Sequence, residues 1–138
     1  MQRAFFVTLA QLDPQHFIAT CRNALVHLTW GRVTVRFTRD EFPRLARLFD
    51  LAAGARPPAT FREGAAVITT RPGEDAELQL GPLVLLLPRD EFKRLAQAVQ
   101  DAARGLDQFL AQGGFHDEQG EPEPGLIEQL RRPGFSRN

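Results

Sequence analysis

An internal repeat constrains this 138-residue chain more than any other feature of its sequence. Displacing the chain by 50 residues aligns Leu28–Ala53 with Leu78–Ala103 without a gap, and 11 of the 26 aligned residues are identical. About one or two identities are expected by chance at ordinary composition. The longest identical block, Arg39-Asp40-Glu41-Phe42, recurs as Arg89-Asp90-Glu91-Phe92. The chain is therefore predicted to contain two copies of one supersecondary unit.

Each copy shows the alternating apolar pattern of half-buried strands, followed by the pattern of an amphipathic helix. Gly31 and Gly81 mark the hairpin turns between the last two strands of each copy. The predicted strands are Phe17–Cys21, Val26–Trp30, Val33–Phe37, Ala65–Thr70, Ala76–Leu80 and Leu83–Leu87, and the predicted helices are Arg39–Ala53 and Arg89–Ala111. These elements predict an α+β fold of tandem duplicated β-β-β-α units, with an antiparallel sheet or small barrel and two packed helices.

The start of the first helix carries two competing signals. Thr38 and Glu41 form a capping box, and Phe37 and Phe42 occupy the two positions of a hydrophobic staple. With Thr38 as cap, Pro43 lies in the fifth helical position, where it removes a hydrogen bond. With Asp40 as cap, Pro43 lies in the tolerant first turn. We favour Thr38 as the cap, with local distortion.

The domain limits follow from the repeat and from composition. We expect one domain over residues 1–111, with repeats at about 16–54 and 64–111 joined by a linker at Gly54–Gly64. Residues 112–138 read as a tail rich in Gly, Pro and acidic residues, with one short helical turn at Leu126–Arg132. The lone Cys21 excludes an intrachain disulfide, and no apolar run is long enough to span a bilayer. We expect a soluble cytoplasmic protein without a membrane partner.

The two copies differ at the outward positions of their last strands. Thr34 and Arg36 of the first copy correspond to Val84 and Leu86 of the second. Exposed apolar pairs of this kind mark burial or association rather than catalysis. The cover is expected to be the tail, a second subunit or the N-terminal segment Ala4–Ala10.

Charge is balanced overall but divided along the chain. Residues 1–62 hold nine Arg and four acidic residues, net +5, and residues 63–138 hold eight basic and thirteen acidic residues, net −5. The two halves are expected to attract each other, or neighbouring molecules are expected to attract head to tail. Sixteen of the seventeen basic residues are Arg, which suits planar pairing with carboxylates or phosphates, although a GC-rich genome gives the same bias.

The inventory of catalytic side chains is poor. Ser136 is the only Ser and Lys93 the only Lys, so we predict no catalytic residue of either type. Cys21 with His16 or His27 could form a thiolate pair, but a small buried Cys on a strand is the favoured interpretation. The acidic pairs Asp40-Glu41 and Asp90-Glu91 suit helix capping. The His and Cys spacing matches no metal site, and no phosphate-binding loop is present, so no cofactor is predicted.

A resemblance covers the first hairpin and helix start. Cys21-Arg-Asn-Ala24, Leu28-Thr-Trp-Gly31, Val33–Phe37 and Asp40-Glu-Phe42 resemble small uncharacterised bacterial domains that place a C-x-x-C pair before an aromatic-Gly turn, a strand and an E-F helix start. Ala24 stands at the second Cys position. Any metal site that the resemblance implies is therefore lost, and it implies no activity.

Three functions are compatible with these features. The favoured one is a non-enzymatic protein-protein interaction or scaffold module, homodimeric or bound to a protein partner. Its expected contact residues share an outward position or lie in the tail: Val84, Leu86, Arg32, Arg36, Leu126, Ile127 and Leu130.

The first alternative is binding or catalysis on a small anionic ligand in the groove between repeats, beside Arg36, Arg39 or Arg89. The second is RNA or single-stranded DNA binding through Arg22, Arg32 and Arg36. Trp30 shares the parity of the core residues, so the sequence predicts no exposed aromatic platform for bases.

Overall fold

The computed structural model describes residues 6–115 of the chain, which form two four-stranded antiparallel sheets, each followed by a helix. The first copy comprises β1 (Phe6–Asp13), β2 (His16–Cys21), β3 (Leu25–Trp30), β4 (Val33–Thr38) and α1 (Glu41–Gly54). The second comprises β5 (Ala59–Glu63), β6 (Ala66–Thr70), β7 (Ala76–Leu80), β8 (Leu83–Leu87) and α2 (Arg89–Ala111). Both sheets keep their strands in chain order, so each strand pairs with its neighbours in sequence.

The α+β duplication is confirmed, and each copy carries one strand more than predicted. β1 lies in the N-terminal segment that was considered only as a cover for Val84 and Leu86, and register shifts interrupt its pairing with β2 between Thr8 and Ala10 and between Gln11 and Asp13. Such bulges break the alternation that identifies a strand in sequence. β5 lies inside the segment predicted to be a linker from Pro57-Pro58, and Phe61 is its only large apolar residue. The two sheets are separate rather than one sheet or a barrel.

The hairpin glycines confirm that the two copies share one geometry. Gly31 and Gly81 have φ values of 68° and 62°, in the left-handed region that glycine adopts without strain. The backbone N–H of Gly31 donates to Gln15 O at 2.8 Å, and that of Gly81 donates to Ala65 O at 3.0 Å. The same turn therefore closes both units, 50 residues apart.

The start of α1 combines both signals seen in the sequence. The backbone N–H of Glu41 donates to Thr38 Oγ1 at 3.1 Å, and the N–H of Thr38 donates to Glu41 Oε1 at 2.9 Å, so the capping box forms. The helix itself begins at Glu41 with Asp40 as N-cap, which places Pro43 in the first turn. Thr38 therefore supplies the side-chain cap that the sequence predicts, and the regular helix starts only at Glu41, which keeps Pro43 in its first turn.

Each helix contacts the sheet of the other copy. α1 contacts β5 and β6 of the second sheet and also β4 of its own sheet. A Cβ built on Gly105 of α2 would lie 3.2 Å from Leu9 O of β1, so α2 passes close to the first sheet. The two helices also contact each other: the ring of Phe49 on α1 stacks on the ring of Phe92 on α2, with centroids 5.7 Å apart. The copies thus share one core.

The chain divides into two compact units, Met1–Leu106 and Asp107–Asn138, with the boundary inside α2. The first unit holds the hydrophobic core, in which Ile18, Leu28, Phe49 and Leu78 are fully buried. In the second unit, the rings of Phe109 and Phe115 meet edge to face with centroids 5.1 Å apart. The predicted helical turn Leu126–Arg132 lies outside the described residues.

Candidate functional site

The most exposed apolar side chains of the second sheet lie on β8. Val84 is 50% exposed and Leu86 is 63% exposed, and both point away from the core. β8 is the last strand of its sheet, and within residues 6–115 no further strand pairs with its outer edge. All five residues of β8 are uncharged and apolar. Side chains and backbone of this strand are therefore both available for pairing.

The corresponding edge strand of the first copy, β4, is protected. Thr34, Arg36 and Thr38 occupy its outward positions, and Arg36 lies opposite His27 on β3. Charged side chains on an edge strand disfavour pairing with another chain. The predicted difference between the copies therefore lies on two equivalent edge strands. β4 carries a charged residue at an outward position, and β8 carries none.

One of the three expected covers of Val84 and Leu86 is ruled out. The N-terminal segment forms β1 from Phe6 onward and pairs with β2 in the first sheet. Its backbone is thus committed elsewhere. The tail residues Leu126, Ile127 and Leu130, which were expected to cover Val84 and Leu86, lie outside the described residues.

The candidate Arg residues have different surroundings. Arg32, in the β3–β4 turn, and Arg36 on β4 are exposed. Arg39 donates from Nη2 to Cys21 O at 2.8 Å and from Nε to Thr20 Oγ1 at 3.0 Å. Arg89 donates to Arg71 O at 3.2 Å. Arg39 and Arg89 therefore link the start of each helix to the preceding strands.

The first sheet brings Cys21 and His27 together on its outer face. Cys21 Sγ lies 3.3 Å from His27 Nε2, and the Phe6 ring meets the His27 ring edge to face at 5.1 Å. Burial lowers the pKa of His27, and the positive charge of Arg36 lowers it further. A neutral imidazole can accept the thiol hydrogen, so the contact satisfies a Cys that is only 6% exposed. Phe6 itself is 55% exposed, an aromatic that the sequence pattern did not place on this face.

On the inner face, the first copy carries an aromatic pair. The rings of His16 and Trp30 meet edge to face with centroids 4.5 Å apart. The indole Nε1–H of Trp30 donates to Glu91 Oε2 of α2 at 2.9 Å. Asp13 accepts from His16 Nδ1 at 2.8 Å, and this hydrogen bond, with one from the Gln15 backbone N–H, lowers the pKa of Asp13. Trp30 is buried as predicted, and its link to Glu91 ties the first sheet to the second helix.

A cavity of about 270 Å³ lies at the equivalent place in the other copy. It is bounded by β4, the start of α1, and the β5–β6 and β7–β8 turns. Its apolar lining includes Val35, Phe37, Leu45, Ala66 and Leu80, and its charged lining is Arg36, Arg44, Glu41 and Glu63. A second depression beside Arg89 and Lys93 measures only about 20 Å³, the space of a single water.

The sequence carries a signal for this cavity outside the repeat block that begins at Leu28. The same displacement of 50 residues matches His16 of β2 with Ala66 of β6, and within the block it matches Trp30 with Leu80. The strand registers agree, since His16 pairs with Trp30 and Ala66 pairs with Leu80. Two large rings in one copy are thus matched by two smaller side chains in the other.

Among residues 6–115, no cluster of three or more His, Cys, Asp or Glu side chains has the geometry to hold a metal ion. Within the same part of the chain, no helix has the length and apolar character needed to cross a bilayer. Comparisons with protein-family models, curated proteins and solved structures found no match to this chain.

Proposed function

We propose that this protein is a non-enzymatic interaction module that self-associates through the outer edge of β8. The observation that carries the proposal is an uncharged edge strand bearing two outward apolar side chains, each at least half exposed. An apolar edge without charge or bulge is a template for strand addition, and on β8 this edge is confined to the five residues between Pro82 and Pro88. The equivalent edge strand β4 carries Arg36, whose charge disfavours pairing with another chain, whereas β8 carries no charge.

The occupant that fits this edge best is a second copy of the chain. If two β8 strands pair antiparallel about Leu85, Val84 lies opposite Leu86 of the partner subunit, and the reverse contact forms by symmetry. The strand Leu-Val-Leu-Leu-Leu is apolar at every position, so this register opposes no charges. Residues directly opposite each other in an antiparallel pair have side chains within contact distance, whether or not the two residues share backbone hydrogen bonds. The result is one continuous eight-stranded sheet.

The test is the effect of a charge on β8 upon the oligomeric state. Sedimentation velocity over a range of concentrations should show a dimer for the unchanged chain. Val84→Lys should weaken the dimer at least about tenfold, since it removes an apolar pair and brings two ammonium groups to one small interface. Thr34→Lys, at the equivalent position of β4, is the matched control and should leave the dimer intact.

Two results would overturn the proposal. One is a monomer at every concentration of the unchanged chain, which would assign the cover of β8 to the chain itself. The other is a dimer that Val84→Lys and Leu86→Lys leave unchanged, which would place the interface elsewhere. Circular dichroism of each variant shows whether the fold is retained.

A further inference from the structure

The 270 Å³ cavity between β4, α1 and the second sheet is not used by the proposed association. Its walls are apolar, from Val35, Phe37 and Leu45 on one side and Ala66 and Leu80 on the other. Glu41 contributes to the lining from the first turn of α1. The space is partly open to solvent, since the lining residues Arg36, Glu41 and Glu63 are exposed.

The other copy of the repeat shows what fills the equivalent space. There, Trp30 and His16 stand where Leu80 and Ala66 stand here, in the same pairing register. The Trp30 ring is 5% exposed, and its N–H donates to Glu91 at 2.9 Å. Glu91 is the repeat equivalent of Glu41. The cavity is therefore the indole site of the first copy without its indole.

The acceptor of that site is retained. Glu41 Oε1 accepts the backbone N–H of Thr38 at 2.9 Å. A carboxylate has two oxygens and accepts several hydrogen bonds, so Glu41 keeps capacity for a further donor. The sequence thus preserves the group that binds an indole N–H while removing the side chain that supplies it.

The charge of the lining favours a neutral ligand. Two Arg and two Glu residues line the cavity, and Arg44 Nε lies 3.6 Å from Glu63 Oε2. Their formal charges cancel, so no excess positive charge remains to hold an anion. The size also fits, since an apolar cavity of about 150 Å³ takes up benzene and a bicyclic ring needs moderately more.

We propose that this cavity binds a free, neutral, planar aromatic molecule of the indole class, with its ring against Leu45 and Leu80 and its N–H donating to Glu41. The inference does not depend on the proposed self-association, because no lining residue belongs to β8.

The experiment is calorimetric titration of the unchanged chain with indole, with 1-methylindole as the ligand control. Indole should bind at one site per chain. 1-Methylindole has the same ring but no N–H, and it should bind about tenfold more weakly because Glu41 loses its donor. No heat of binding with indole at millimolar concentration would overturn the proposal, and so would equal affinity for the two ligands.

Variants locate the site. Leu80→Trp rebuilds the side chain of the first copy in the cavity and should abolish indole binding. Gln79→Trp introduces the same ring on the exposed face of the same strand and should leave binding unchanged. Binding that survives Leu80→Trp would place the ligand elsewhere and overturn the proposal. Because the comparison of indole with 1-methylindole needs no variant, the proposal stays testable if Leu80→Trp does not fold.

A third ligand separates the two sources of an indole ring. N-acetyltryptophanamide presents the ring as a peptide does and should bind more weakly than indole, because the cavity is small and its bulky backbone must remain outside. Tighter binding of N-acetyltryptophanamide would overturn the assignment to a free small molecule and give the site to a tryptophan of a partner protein.

Discussion

Replacing Trp30 by leucine makes the first copy resemble the second and measures what the indole contributes to the fold. Trp30 is 5% exposed and packs on His16 while its N–H reaches Glu91. Truncating a buried Trp to Ala costs about 3–5 kcal/mol, and leucine retains roughly half of the apolar contacts, so the packing loss is about 2 kcal/mol.

The hydrogen bond adds a smaller amount. A bond from a neutral donor to a charged group contributes about 1.5–3 kcal/mol when both are buried, and about 1 kcal/mol here because Glu91 is partly exposed and regains water. The total for Trp30→Leu is about 3 kcal/mol. At about 4 °C per kcal/mol for a domain of this size, the melting temperature should fall by about 12 °C.

The assay is urea and thermal denaturation followed by far-ultraviolet circular dichroism, since the substitution removes the only Trp of the chain. Trp30→Phe keeps most of the ring volume and removes the donor, so it should cost about 1–2 kcal/mol. A loss below about 1 kcal/mol for Trp30→Leu would refute the reasoning, because neither the packing nor the link to Glu91 would then stabilise the fold.

Two further predictions concern the first sheet and α1. The pKa of His27 is lowered in the folded state, so the unfolded state binds more protons just below the usual value of 6.5, and stability should fall as the pH drops through that window. Arg36→Gln should move the His27 pKa upward in an NMR titration, and an unchanged or lower value would contradict the assigned role of that charge. Thr38→Ala removes one half of the capping box and should cost about 1 kcal/mol in urea denaturation. Thr8→Ala, at an exposed position of β1, is the matched control, and an equal loss in both variants would contradict the cap.

The repeat, its helices and its hairpins could be predicted from the sequence. The strands Ala76–Leu80 and Leu83–Leu87 and the helix Arg89–Ala111 have the predicted bounds, because short apolar runs beside a turn glycine and a long apolar stripe are local properties of the chain. The outward positions of Val84 and Leu86 could be predicted because alternate residues of a strand face opposite sides of its sheet. β1 and β5 were not predicted as members of the sheets, because bulges interrupt the alternation of β1 and because Phe61 is the only large apolar residue of β5.

The packing of each helix against the sheet of the other copy depends on contacts between residues far apart in the chain. Nothing in the local pattern of α1 or α2 distinguishes packing on its own sheet from packing on the sheet of the other copy, since the same apolar stripe serves both. The packing of α2 near the first sheet brings Glu91 to Trp30 across 61 residues of sequence. The packing of α1 near the second sheet places the equivalent residue, Glu41, in the same cavity lining as Leu80. The Trp30–Glu91 hydrogen bond and the cavity beside Leu80 both depend on residues far apart in the chain. Alternation and helical spacing describe only neighbouring residues, so they predict neither.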